Sequence, residues 1–118
     1  MSRPETIICD IDGCIFPHEG DITRQHLLVL KPLPEVLSKW VDWDRRGCRI
    51  ILMTGRRESV RPQTEAQLAK AGIFYDILLM GQSGGKRILI NDFKEGAIED
   101  TALAINLERN EGFQNVKI

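Results

Sequence analysis

The sequence predicts an α/β domain with a mainly parallel β-sheet. Short apolar runs that suit buried strands alternate with longer segments of helical periodicity. Such alternation is typical of α/β domains, in which successive parallel strands are joined by helices. Polar residues also follow directly after the apolar runs. Because open α/β sheets bind ligands at the carboxyl ends of their strands, this edge is the expected place for a site.

Length and composition indicate one domain that spans residues 1–118. The chain has 42% hydrophobic and 28% charged residues and a net charge of −1. It therefore lacks the overall basic charge that draws proteins to nucleic acid, and binding of nucleic acid is not expected. No run of residues is long and apolar enough for a membrane helix or a signal peptide, so a cytoplasmic protein is the expectation.

The three cysteines, Cys9, Cys14 and Cys48, form no Cys-x-x-Cys pair. Two of them lie in or beside apolar runs, which is typical of reduced cysteines in a core. Their spacing from His18 and His26 does not match a usual zinc site.

The first predicted strand covers residues 6–11 and ends in the two acids Asp10 and Asp12, followed by Gly13. Its continuous apolar run is typical of a strand covered on both faces. A strand that ends in two carboxylates gains no folding energy from them, which points to a functional site. Residues 14–33 are less regular and are interpreted as a flap or minimal cap.

The following elements are predicted from apolar periodicity and from the residues that end them. A helix is expected over residues 34–46, with Pro34 in its first turn and Gly47 as its cap. The second strand covers residues 49–53 and a second helix residues 59–71. A third strand is expected at 76–80, a fourth at 87–90 and a fifth at 101–107.

Chemically useful residues follow three of these strands. Asp10 and Asp12 end the first, Thr54, Gly55 and Arg56 follow the second, and Asn91 and Asp92 follow the fourth, with Lys86 just before it. Parallel strands would bring these groups to one edge of the sheet.

This set of residues suits phosphoryl transfer. Asp10, Asp12 and Asp92 offer the oxygen ligands that Mg²⁺ prefers. The expected phosphate ligands are Thr54, Gly55, Arg56 and Lys86, and a carboxylate can serve as nucleophile.

The three motifs resemble those of the haloacid dehalogenase (HAD) superfamily of phosphatases. The resembling residues are Asp10-Ile11-Asp12-Gly13, Thr54-Gly55-Arg56 and Asn91-Asp92, and the run 54–59 is also similar to the phosphatase half of phage polynucleotide kinase-phosphatases. The resemblance implies a Rossmann-like, three-layer domain with little or no cap, Mg²⁺ dependence and an aspartyl-phosphate intermediate.

The resemblance also implies residue roles. Asp10 would be the nucleophile and Asp12 the general acid/base, Thr54 would bind the phosphoryl group, Lys86 would steady it, and Asp92 would hold the metal. The position of Lys86, close to Asp92 on a glycine-rich loop, departs from the family pattern, so Arg56, Lys70 and Arg87 are alternatives. Cys14 replaces the threonine found in many members.

The leading hypothesis is therefore a Mg²⁺-dependent hydrolase of a small-molecule phosphomonoester, such as a sugar phosphate. The alternatives are a catalytically weak regulatory module that binds phosphate or metal, a phosphotransferase or mutase, and a polynucleotide-end phosphatase. The apolar run 27–30 leaves a homo-oligomer open.

Overall fold

The computed structural model of the protein describes residues 3–118. Its regular elements are three strands and two α-helices, all in the first two thirds of the chain. They are β1 (Thr6–Asp10), α1 (Val36–Arg45), β2 (Arg49–Met53), α2 (Arg61–Ala71) and β3 (Ile77–Leu79). The predicted positions of these five elements are confirmed, with ends that differ by at most two residues.

The three strands form one parallel sheet in the order β1-β2-β3. Ile8 pairs with Ile51 at the centres of β1 and β2, and Ile51 pairs with Ile77, the first residue of β3. β3 therefore lies beside the second half of β2. Each neighbouring pair is joined through a helix, which is the arrangement of a Rossmann-like α/β domain. The predicted fold class is confirmed.

The helices bury one face of the sheet. Right-handed connections that advance in one direction across a sheet place their helices on the same face. On that face Ile7, Ile50, Leu52 and Leu78 are buried, and the indole N–H of Trp40 donates to the carbonyl of Phe74 at 2.9 Å.

Trp40 and Trp43 are the main anchors of α1 in the core. Their ring centroids are 5.1 Å apart, and that of Phe113 lies 5.7 Å from Trp43. Val36 completes the buried stripe, while the apolar residues Leu37 and Val41 of the same helix are exposed. The side of α1 that carries residues 36, 40 and 43 is thus the one that packs against the core.

The opposite face of the sheet is apolar but remains partly exposed. Ile8 is 50% exposed and Ile77 37%, whereas parallel sheets are usually covered on both faces. In the sheet formed by residues 3–118, β1 pairs only with β2, so its other edge has no neighbouring strand.

The predictions of a fourth strand at 87–90 and a fifth at 101–107 are wrong. Both segments are irregular, and the exposures of Ile88 and Ile90 are 78% and 93%. The apolar runs have the composition of strands, but a strand forms only when it pairs with and packs against neighbours.

The end of the chain is more ordered than its polar composition indicates. Phe113 and Val116 are buried, and the N–H of Phe113 donates to the carbonyl of Pro34 at 2.9 Å. Gly112 has φ +84°, and a Cβ there would lie 2.3 Å from the carbonyl oxygen of Pro34. Only glycine permits this close approach, which seats Phe113 on the tryptophans.

The flap, residues 14–33, contains one 3-10 turn at Gln25–Leu27 and no α-helix or strand. Ile15 and Phe16 anchor its start in the core, whereas Leu27 and Val29 near its tip are 63% and 83% exposed. Among residues 3–118, no helix is long and apolar enough to cross a membrane.

Candidate functional site

The carboxyl ends of β1 and β2 meet as predicted. Asp10, the last residue of β1, pairs with Met53, the last residue of β2. The next residues therefore leave the sheet side by side, with Asp12 and Thr54 on adjacent strand ends. Gly13, with φ +89°, turns the chain away after Asp12.

Asp12 forms a buried two-point ion pair with Arg56. The guanidinium donates from Nε to Oδ2 at 3.0 Å and from Nη2 to Oδ1 at 2.8 Å. The side chain of Arg56 is 0% exposed and that of Asp12 3%. Two parallel hydrogen bonds fix both the position and the rotation of the carboxylate.

The remaining contacts of Arg56 are also within the protein. Its Nη1 donates to Thr64 Oγ1 at 3.1 Å and to Gln67 Oε1 at 2.5 Å, both on α2. All three guanidinium nitrogens thus donate to protein groups, and two of them hold the carboxylate of Asp12. Binding of phosphate by Arg56 stays a prediction. Thr64 and Gln67 share the side of α2 that carries the buried Leu68. Polar residues on the buried side of a helix are a signal for a buried polar partner.

Gln25 is a site residue that sequence reasoning missed. Its Nε2 donates to Asp12 Oδ1 at 2.7 Å and to the carbonyl of Pro17 at 3.0 Å, and its Oε1 accepts the N–H of Glu19 at 2.8 Å. The side chain is fully buried. A single glutamine in an irregular segment carries no motif, so only the three-dimensional structure identifies it.

Thr54 and Gly55 lie beside the acids, as the sequence predicts. Thr54 is buried, and its Oγ1 accepts the N–H of Arg56 at 3.1 Å, which leaves the hydroxyl hydrogen to donate elsewhere. A Cβ on Gly55 would lie 3.3 Å from the carbonyl oxygen of Gln82. Within residues 3–118, the N–H of Gly55 donates to no protein group.

Asp10 is the less constrained of the two acids. Its Oδ1 accepts the N–H of Ile11 at 2.9 Å. Loss of hydration in its surroundings and the neighbouring charge of Asp12 raise the pKa of Asp10, while the Ile11 N–H, Arg87 and His18 act to lower it. A carboxylate in this position is stabilised by any cation that binds beside it.

Arg87 is a further cation at the end of β2. Its Nε contacts Met53 Sδ at 3.2 Å, level with Asp10, and its Nη1 donates to the carbonyls of Ser83 and Gly85 at 2.6 and 2.7 Å. Lys86 and Arg87 both line a cavity of about 250 Å³ beside Met53. Among the alternatives to Lys86, Arg87 thus has a contact at the edge where the acids lie, as does Arg56 through Asp12.

Asp92 lies apart from this arrangement, on the exposed irregular segment after residue 81. The neighbouring Asn91 donates from Nδ2 to Thr101 Oγ1 at 2.9 Å. No group of three or more His, Cys, Asp or Glu residues in 3–118 is close enough to hold a metal ion. Since the carboxylate of Asp12 is also committed to Arg56, the described residues do not form a complete Mg²⁺ site, and the Asp10, Asp12 and Asp92 set stays a prediction.

The fold and this edge define a Rossmann-like α/β protein with an acid pair where its first strand ends. The chain is similar to one in the Pnkp1/Rnl/Hen1 complex, with 30% identity over 74% of this chain and 31% of that one, and a TM-score of 0.59. A second structure, of the Pnkp1/Rnl/Hen1 RNA repair complex, matches with 30% identity over 71% of this chain and 28% of that one, and a TM-score of 0.56. The protein thus spans about a third of the length of those chains.

A crystal structure from Vibrio cholerae supports the fold alone. It shares 20% identity over 76% of this chain and 81% of its own, with a TM-score of 0.55. No family model and no curated protein matches the chain.

Proposed function

We propose that the protein is a phosphomonoesterase of the haloacid dehalogenase type, with Asp10 as nucleophile and Asp12 as general acid/base. The observation that supports this most is the difference in hydrogen bonding and exposure between the two acids. Asp12 is fixed by Arg56 and Gln25 through three hydrogen bonds. Asp10 accepts one N–H and stands at the exposed end of β1.

The division of roles follows from these environments. In the first step an Asp10 carboxylate oxygen attacks phosphorus, the bond to the leaving oxygen breaks, and that oxygen receives a proton from Asp12. The Thr54 hydroxyl and the Gly55 N–H bind phosphoryl oxygens. In the second step Asp12 takes a proton from water, which attacks the aspartyl phosphate and releases phosphate and the free Asp10 carboxylate.

The proposal also includes cationic side chains that stabilise the phosphoryl group. Phosphoryl transfer needs stabilisation of charge on the phosphoryl oxygens more than any other contribution. Arg87 and Lys86 lie beside the end of β2 and supply it from the side of the glycine-rich loop. Mg²⁺ dependence is a further part of the proposal.

Turnover of p-nitrophenyl phosphate tests the proposal. The Asp10→Asn variant should lose activity completely while its circular dichroism spectrum is unchanged, and Asp44→Asn, an equivalent change at an exposed position of α1, should retain it. Full activity of Asp10→Asn would exclude the mechanism. Addition of EDTA, followed by excess Mg²⁺, tests the metal dependence separately.

A polynucleotide terminal phosphate is the second candidate substrate. It is favoured by the similarity to chains of an RNA repair complex and by the small size of the flap, whose only regular element is one 3-10 turn, because a small cap suits a large substrate. Comparison of kcat/KM for phosphorylated oligonucleotides and for a panel of sugar phosphates separates the two classes.

Asp92 lies apart from Asp10 and Asp12, and this favours a third possibility, a binding module with little catalytic activity. Calorimetry with phosphate and Mg²⁺ distinguishes it: binding of both without turnover of any panel substrate would identify the module and exclude the esterase.

A further inference from the structure

Gln67 connects the flap to the arginine that holds Asp12. From its position on α2, its Nε2 donates to the carbonyls of Gln25 and Leu28 at 2.9 and 2.8 Å. Its Oε1 accepts from Arg56 at 2.5 Å. Both ends of one neutral amide are therefore used, the donor end by the flap and the acceptor end by the guanidinium.

The flap also contacts Asp12 directly. Gln25, which receives one hydrogen bond from Gln67 at its main-chain carbonyl, donates through its side chain to Asp12 Oδ1 at 2.7 Å. Asp12, Arg56, Gln67 and Gln25 thus form a closed ring of hydrogen bonds. A displacement of any member alters the contacts of the next.

Few apolar contacts hold the adjoining part of the flap. Leu27 and Val29 are mostly exposed, and Leu28 is 36% exposed. The carbonyls of Gln25 and Leu28 are instead bound by the Gln67 amide, so these hydrogen bonds fix the segment between them. Segments with few buried apolar contacts open locally at low free-energy cost, and they depend on such polar contacts for their placement.

We propose that Gln67 is a positioning residue that couples the placement of the flap to the orientation of Asp12. This inference rests on the proposed function for its effect on catalysis, but not for the hydrogen bonds themselves. A substrate that shifts the flap changes the position of Gln25 and, through Gln67, that of Arg56. The geometry of the acid/base then responds to the position of the flap.

The substitution Gln67→Glu separates the two ends of the amide. An ionised glutamate keeps an acceptor for Arg56 but loses both donors to the flap carbonyls. Gln63→Glu is the matched control, because it makes the same change on an exposed position of the same helix. Hydrogen exchange of the amides of residues 25–30 should be faster in Gln67→Glu and unchanged in Gln63→Glu.

The kinetic test uses two leaving groups. An alkyl phosphate needs the proton from Asp12, whereas p-nitrophenolate leaves without it. Loosening of Gln25 should therefore lower the ratio of alkyl to aryl kcat about three- to tenfold, the factor that corresponds to one hydrogen bond of ordinary strength. A change in stability alone would lower both rates together.

The outcomes distinguish the two proposals. If the unmodified protein hydrolyses neither phosphate, the proposed function fails, and exchange still tests the tie between Gln67 and the flap. If it hydrolyses both and Gln67→Glu matches Gln63→Glu in exchange and in rate ratio, the positioning role of Gln67 is refuted. Faster exchange together with a lower ratio supports it.

Discussion

Replacement of Arg56 by methionine should strongly destabilise the protein. The substitution leaves the Asp12 carboxylate, 3% exposed, without its positive partner. Removal of one member of a buried ion pair costs about 3–5 kcal/mol because the remaining charge stays buried without compensation. Against a typical unfolding free energy of about 5–15 kcal/mol, this is a large fraction.

Urea denaturation, followed by tryptophan fluorescence, measures the effect. With a slope of about 2 kcal/mol per molar urea, a loss of about 4 kcal/mol lowers the midpoint by about 2 M. The matched control is Arg57→Met, an identical change at the next, exposed position. It should change the free energy of unfolding by less than about 0.5 kcal/mol.

The double variant Arg56→Met with Asp12→Asn separates charge from packing. It keeps an acceptor for Gln25 but removes the buried negative charge, so it should be more stable than Arg56→Met alone. Equal midpoints for Arg56→Met and Arg57→Met, or a double variant in which the two losses simply add, would refute the assignment of a buried ion pair.

Three other perturbations test separate parts of the structure. Loss of hydration and the charge of Asp12 raise the pKa of Asp10 above its ordinary 3.8, so the folded state disfavours the ionised form. Asp10→Asn should therefore raise the melting temperature at pH 7, and the gain should vanish as the pH falls below 3.8, where the carboxyl is protonated in the unfolded state as well. Burial and the charges of Asp10 and Asp12 raise the pKa of Cys14 to about 11. The rate of its alkylation by iodoacetamide, measured by mass spectrometry, should therefore still increase between pH 9 and 10, and a rate that levels off near pH 9 would contradict this. Gly112→Ala should cost about 1–3 kcal/mol in thermal unfolding because its Cβ meets the Pro34 carbonyl, and Gly96→Ala, with φ +82° but open space, should cost less.

The sequence predicted the elements that local pattern determines. The runs at β1 and β2 are continuously apolar and bounded by turn residues, and α1 carries the buried residues Val36 and Trp40 at helical spacing. The convergence of Asp12 and the Thr54 turn followed from the parallel order alone. These features depend on short-range periodicity and on one topological rule.

Features that depend on partners distant in the chain were not predictable in the same way. Residues 87–90 have strand composition but pair with no strand in the described structure. Arg56 was expected to face a ligand, yet residues of α2 and Asp12 surround it. The type of a residue determines which hydrogen bonds and ion pairs it is able to form, but its partner depends on the three-dimensional fold.

Arg46 brings the two ends of the described chain to one place. Its Nη1 contacts Glu5 Oε1 at 3.3 Å, and its Nη2 donates to the carbonyl of Ile118 at 2.7 Å. One guanidinium, at the end of α1, therefore ties the residue that precedes β1 to the segment that follows Phe113.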